Sequence, residues 1–277
     1  MEYKNYQVFK IEVKQGVAFV TIDNPPTNLI NLPFLIDMER FYDQVKEDDD
    51  VRVIVFQSAD PEIFISHYDV SLLTEYPDEP APKPTELAAF WKRQHMEFRT
   101  LPKVTIAKIE GIVGGGGSEI ALSMDMRFAA IGKAIFGQGE ASLGIIAGGG
   151  GTHWLTRFLG AARALEVMLG FAHYSAELAE RYGWINRALR PDKLGPFVEQ
   201  LAYRIAYVPA ETIALVKKSI IAAEELPLKE ALLEEDHLFN ISASLPESKK
   251  RMEEYLKLGY QTRESEIKIA EDFKQMD

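Results

Sequence analysis

The sequence predicts an α/β fold with a helical C-terminal region. Three observations carry this. Residues 8–57 read strand, strand, helix, strand, the opening of a layered α/β domain. Hydrophobic residues make up 47% of the 277, which supports a sizeable core and excludes global disorder. Beyond about Asp192 the apolar residues recur only at helical spacing. The expected organisation is therefore a core over 1–192 that holds the site, and a helical region over 193–277.

Each element follows from its residues. Val8 to Val13 and Gly16 to Ile22 carry the β-branched character of strands, with Gln15-Gly16 as the turn. Asn24-Pro25-Pro26 ends the second strand. Leu35, Met38, Phe41, Tyr42 and Val45 repeat at helical spacing, so Leu32 to Val45 is a helix. Asp48-Asp49-Asp50 reads as a solvated turn, because calcium loops place their ligands at alternate positions. Val51 to Gln57 is a nearly unbroken apolar run, suited to a strand buried on both faces.

Further along, Lys103 to Ile109 is another buried strand, Gly117 to Met124 a short helix and Met126 to Ile131 a strand. Thr152 to Leu159, Ala162 to Gly170 and Ser175 to Tyr182 read as successive helices, the last with Ser175 as N-cap and Gly183 just past its end. Trp184 to Leu189 returns to strand. Five helices follow, near 193–207, 210–224, 227–243, 246–257 and 263–275. The proline-rich stretch Tyr76 to Pro84 is a loop, either a plain connection or a lid.

Composition narrows the function. The net charge is −11, which argues against nucleic acid and against an anionic membrane surface as partners. It leaves room for a small anionic ligand in one local pocket. The absence of cysteine removes disulfides, thiolate metal sites and cysteine nucleophiles. The five histidines form no metal spacing, and no Gly-x-Ser-x-Gly elbow is present. The polar N-terminal residues and the lack of a roughly 20-residue apolar run point to a cytoplasmic protein.

Two glycine-rich frames stand out: Gly115-Gly116-Gly117-Ser118-Glu119 and Phe136-Gly137-Gln138-Gly139-Glu140. Neither is a nucleotide motif, since the dinucleotide spacing is broken at Glu119 and no P-loop Lys-Ser/Thr follows. A helix start stripped of side chains offers backbone N–H groups to an anion or a carbonyl oxygen. Tight helix–sheet packing explains the glycines equally well. Glu119 and Glu140 sit in apolar, glycine-rich surroundings, where a carboxylate has few incidental reasons to be.

At this point the residues resemble the enoyl-CoA hydratase/isomerase (crotonase) superfamily. Gly111 to Glu119 is similar to the family's Gly-x-x-x-Gly-Gly-Gly-x-Glu. Phe136 to Glu140, Leu143-Gly144 and Gly148 to Thr152 are similar to its second signature, and Asn24 to Asn28 to the segment after its second strand. The resemblance implies a crotonase-like spiral of repeated ββα units, with a C-terminal helical region used to assemble trimers or dimers of trimers.

It also implies an acyl-CoA thioester substrate, with coenzyme A as part of the substrate and no separate cofactor or metal. The thioester oxygen falls between the backbone N–H groups of Tyr68 and Gly116, with Glu119 and Glu140 as catalytic carboxylates. Thr27, Leu29, Ser66, His67, Tyr68, Asp69, Val70, Gly115, Gly116 and Gly148 become substrate-binding positions. One departure is plain. Where the family usually has Ala-Gly-Ala-Asp, this chain has Ser66-His67-Tyr68-Asp69, and Ser71 stands where a basic residue is often found. The bulky loop either shapes the acyl pocket or merely packs. Retention of both glutamates favours hydration over isomerisation; the alternatives are another crotonase-type reaction, isomerase or acyl-CoA hydrolase, or a non-catalytic CoA-binding scaffold.

Overall fold

The computed structural model describes residues 1–87 and 89–274, and divides them into two compact units meeting at Ala210 and Glu211. The first unit begins with a hairpin. β1 (Phe9–Lys14) and β2 (Val17–Ile22) pair antiparallel, with Lys14 opposite Val17. Gln15 and Gly16 both take positive φ (51° and 79°), as the twist of a two-residue hairpin demands. α1 (Leu32–Lys46) follows. The Asn31 side chain caps it by accepting from the Phe34 N–H, and the stripe Phe34, Met38, Phe41, Val45 is buried.

Three strand pairs then repeat one plan. β3 (Val53–Ser58) is followed by β4 (Ile63–Ile65), then α2 (Val70–Leu73) and α3 (Phe90–Thr100). β5 (Val104–Ile109) is followed by β6 (Ile112–Gly114) and α4 (Gly115–Ser123). β7 (Met126–Ala130) is followed by β8 (Ile135–Gly137), a 3₁₀ turn at Glu140–Leu143, α5 (Gly151–Leu159) and α6 (Ala161–Gly170). The longer strand of each pair joins one sheet and the shorter joins a second. β9 (Tyr174–Ser175), α7 (Ala176–Tyr182), β10 (Arg187–Leu189) and α8 (Pro191–Ala206) complete the unit.

The six-stranded sheet runs β1-β2-β3-β5-β7-β10 and the four-stranded sheet β4-β6-β8-β9. All neighbouring pairs are parallel except β1/β2 and β8/β9. Each ββα unit therefore advances both sheets by one strand, which is the spiral the sequence predicts. Val53 to Phe56 of β3 are fully buried, as their apolar run requires.

The elements differ from expectation in instructive places. α4 begins at Gly115, two residues early, because glycines tolerate the first turn. The short strands β4, β6 and β8 lack a period long enough to read. Asp48 does not sit in a solvated turn. It is 4% exposed and accepts from the Tyr3 hydroxyl at 2.8 Å, while the buried Lys103 ammonium donates to the Asp48 and Val51 carbonyls. Ser175 and Gly183 cap α7 as expected, Ser175 accepting from Leu178 N–H and Gly183 taking a left-handed φ of 85°. α8 lies against β2, β3, β5 and β7 and so belongs to the first unit.

The second unit is helical: α9 (Ala210–Glu225), α10 (Leu228–Ser244), α11 (Pro246–Lys257) and α12 (Arg263–Lys274). Lys218 pairs with Glu234 between α9 and α10. Residue 275, the expected end of the last helix, lies outside the described residues. Among the described residues no helix is long and apolar enough to cross a membrane.

Candidate active site

The site lies where the first turn of α4 meets three loops. Glycine is needed there for two separate reasons. A Cβ on Gly114 would stand 2.7 Å from the Ser66 carbonyl oxygen, and one on Gly117 2.3 Å from that of Ile65. The chain leaving β4 presses directly against the helix start, so the close-packing explanation holds at these two positions. Gly115 and Gly116 face elsewhere. Gly115 takes a φ of +45°, and its Cβ position is 3.3 Å from Glu140 Oε1 and from His67 Cβ. The Cβ position of Gly116 is 3.0 Å from Ile30 Cδ1, 3.2 Å from Tyr68 Cβ and 3.3 Å from Trp91 Cη2. One frame thus packs against the chain leaving β4 on one side and against the site side chains on the other.

The Tyr68 loop is held opposite by a chain of hydrogen bonds. Asn28, at a left-handed φ of 50°, donates through Nδ2 to Ser58 Oγ, Ile63 O and Phe64 O, and accepts from Asn24 N–H. That clamp fixes Ile30, which forms a parallel bridge with Tyr68. Ile30 N–H donates to His67 O at 3.0 Å and Asp69 N–H to Ile30 O at 3.1 Å. Because the flanking residues take these bonds, the N–H of Tyr68 points to the other side. The Gly116 N–H lies in the first turn of α4, where no intrahelical acceptor exists. Two outward N–H groups on adjoining backbones are the arrangement that receives a polarised carbonyl oxygen.

Glu119 projects from the next turn and is 3% exposed. Its Oε1 accepts from Gly149 N–H and Gly151 N–H, both at 2.8 Å. Burial pushes its carboxyl up to about 7; the two N–H bonds oppose this and the charge of Glu140 adds to it. Glu140 opens the 3₁₀ turn and is raised as well, chiefly by burial. Its Oε1 accepts from Gln138 Nε2 at 2.8 Å, and its buried Oε2 has no partner. Gln138 stands between the two acids. Its Nε2 also reaches Gly115 O at 3.2 Å, and lies 3.2 Å from the Cβ position of Gly151, which is itself 2.9 Å from Glu119 Oε1.

The structure therefore brings Gly115, Gly116, Glu119, Glu140, His67 and Tyr68 together. The His67 ring is turned back, its Nδ1 2.8 Å from Tyr68 O. Asp69 caps α2 through the Ser71 N–H and hydroxyl. Ser66 lends its carbonyl to the contact with Gly114, and its buried hydroxyl has no partner. Thr27, Leu29 and Val70 lie in the flanking segments, half-buried or exposed. Gly148 stands one residue before the glycine that holds Glu119, beside Lys92.

Sequence reasoning did not single out Gln138, Gly149, Gly151, Ile30, Trp91, Lys92 or His95. Gln138 and the two glycines lay inside motifs that had been noticed. The last three sit on α3, whose short amphipathic stripe followed a proline-rich loop. The Trp91 ring is 5.3 Å from that of Tyr68 and 6.4 Å from that of His95. His95 is buried, which drives its imidazole down to about 4, and its Nδ1 accepts from Trp154 Nε1 at 3.3 Å. No cluster of three or more metal-ligating side chains occurs among the described residues.

Comparison with known proteins places the chain in a family. The family model for enoyl-CoA hydratase/isomerase matches residues 12–261. A short-chain-enoyl-CoA hydratase of Clostridium acetobutylicum is 28% identical over 247 residues, covering 89% of this chain and 93% of that protein. An (E)-benzylidenesuccinyl-CoA hydratase of Thauera aromatica is 31% identical over 231 residues, covering 80% and 86%. Among solved structures, an enoyl-CoA hydratase of Geobacillus kaustophilus superposes with a TM-score of 0.82 at 26% identity, covering 92% of this chain and 95% of that one. This chain belongs to the enoyl-CoA hydratase/isomerase family.

Proposed function

We propose that this protein hydrates a 2-enoyl-CoA thioester to the 3-hydroxyacyl-CoA, and runs the reverse dehydration at the same site. The observation that carries the reading is the pair of carboxylates beside a glycine-only helix start, Glu119 buried and anchored by two N–H donors, Glu140 half-buried and held by Gln138, each with an oxygen left over. The thioester oxygen lies between the N–H groups of Tyr68 and Gly116, where charge builds as C3 is attacked. Loss of one such donor costs about 3–4 kcal/mol of transition-state stabilisation.

Glu119 is the base in this reading. Its Oε1 is occupied by Gly149 and Gly151, which orients the carboxylate and leaves Oε2 for the water. The water gives a proton to Glu119 and its hydroxyl to C3. The C2=C3 electron pair moves to the thioester oxygen as an enolate. Glu140, protonated and oriented by Gln138, then donates its proton to C2. The sum is one water added, with the proton balance restored through solvent. Burial raises both acids, Glu119 to about 7, and the charge of Glu140 adds to the rise at Glu119.

No metal or redox group takes part in this scheme. The reading includes assembly into trimers or dimers of trimers. α9 and α10 support that, since Val216, Ile220, Leu232 and Phe239 line an open groove of about 490 Å³ within the C-terminal unit. Sedimentation of the purified chain checks the assembly. The activity is tested by mixing the protein with a short 2-enoyl-CoA and following the conjugated thioester absorbance. Its decay to an equilibrium value, with the 3-hydroxy product found by mass, is the expected result. An unchanged absorbance across a panel of enoyl chain lengths would refute the activity.

A further inference from the structure

The wall beyond Glu119 carries chemistry that hydration does not use. In the proposed reaction C2 is protonated by Glu140 and C3 receives the hydroxyl on the Glu119 side. The acyl group beyond C3 therefore continues past Glu119, away from Glu140. Two consecutive residues of α3 meet it there. Trp91 Cζ2 stands 2.5 Å from the Cβ position of Gly149, and Trp91 Cη2 3.3 Å from that of Gly116. The indole thus reaches from Gly116 to Gly149, beside Glu119 Oε2.

Lys92 comes next. Its Nζ is 3.4 Å from the Cβ position of Gly148, one residue before the N–H that anchors Glu119. The neighbouring Arg93 is engaged by Glu39 and Glu97. The Lys92 ammonium has no hydrogen-bond or ion-pair partner among the described residues. Lys92 is exposed, the glycine run 148–151 beside it carries no charge, and its own charge acts on Glu119 and His95. An unpaired ammonium one residue from the base, beside that indole, is a receptor for a second negative charge on the substrate.

We propose that the acyl group of the substrate ends in a carboxylate one or two carbons beyond C3, with Trp91 covering its carbon chain and Lys92 receiving the carboxylate. The chain direction rests on the hydratase reading. The substrate class is then a CoA thioester of an unsaturated dicarboxylic acid, and the specificity-determining pair is Trp91 and Lys92. The bland alternative is that Lys92 acts only through its field on Glu119, which no carboxylate on the ligand would alter.

Binding separates these. Saturated five-carbon thioesters are titrated calorimetrically at low salt, one from a monocarboxylic acid and one from the dicarboxylic acid of equal length. Wild type binds the dicarboxylic thioester about fivefold tighter, as a partly solvated ion pair allows. The preference shrinks with added salt. Lys92→Met abolishes the preference and Lys92→Arg largely keeps it. Equal affinity in wild type overturns the proposal, and so does a preference that survives in Lys92→Met. Saturated thioesters need no turnover, so this result stands apart from the hydration assay. Binding preference without hydration would count against the hydratase reading and leave the Lys92 contact intact.

Discussion

Replacing Glu119 by glutamine makes the protein more stable, and the gain grows with pH. Glu119 is 3% exposed, and its carboxyl is raised from 4.5 to about 7 mainly by burial. A folded-state value above the unfolded one means that the native state favours the protonated form. Below about pH 4.5 the group is neutral in both states and costs nothing. As pH rises from about 4.5 to 7 the unfolded chain ionises this acid while the native protein keeps it protonated, so stability falls across that interval and levels off above it. A shift of that size corresponds to about 3 kcal/mol at full ionisation. Glutamine keeps an oxygen for the Gly149 and Gly151 N–H groups and never ionises. The expected result is nearly equal melting at pH 4 for wild type and Glu119→Gln. At pH 8 the variant melts later, by about 5 °C on the entropy scale of a chain this size. Thermal melts monitored by circular dichroism at both pH values provide the assay. A gap independent of pH, or a variant less stable at pH 8, would refute the argument that burial strains this acid.

Four further outcomes follow from the same geometry. The kcat/KM for hydration rises on its acid limb through a midpoint near 7, as Glu119 ionises to accept the water proton, and falls again where Glu140 loses the proton it must donate. Lys92→Met moves that midpoint upward, since the ammonium favours the ionised acid; a pH–rate profile reads both. Gly117→Ala sets a Cβ 2.3 Å from the Ile65 carbonyl oxygen and costs roughly 1–3 kcal/mol or more of stability, measured by urea titration. Gly149→Ala sets one 2.5 Å from both Glu119 Oε2 and Trp91 Cζ2, so it lowers kcat at least tenfold while far-ultraviolet circular dichroism stays native.

Much of this was legible because it depends on local pattern. The hairpin at Gln15-Gly16, the stripe of α1, the buried run of β3 and the Ser175 cap each follow from neighbours in sequence. The two glutamates were visible because carboxylates in glycine-rich apolar sequence are odd. Other parts rest on long-range contacts. The Gly149 and Gly151 donors meet Glu119 from 30 and 32 residues away. Trp91 reaches the site from a helix that follows the proline-rich loop, and no spacing announces it. The glycine run held two explanations that the sequence left level. The structure divides them by partner: Gly114 and Gly117 meet the backbone leaving β4, while Gly115 meets Glu140 and His67 and Gly116 meets Ile30, Tyr68 and Trp91. Asp48 shows the opposite failure, an acid in a charged run that becomes buried once Tyr3 and Lys103 fold over it.

The account stands most directly on the requirement for both acids. Hydration of a short 2-enoyl-CoA is measured for wild type, Glu119→Gln and Glu140→Gln, with melting curves to establish that each variant is folded. Removal of a positioned acid or base typically costs roughly 10²–10⁴ in rate. The account predicts that wild type turns over and that both folded variants lose at least a hundredfold in kcat. An active Glu119→Gln beside a dead Glu140→Gln would contradict it, and would assign the site to one-carboxylate proton transfer instead.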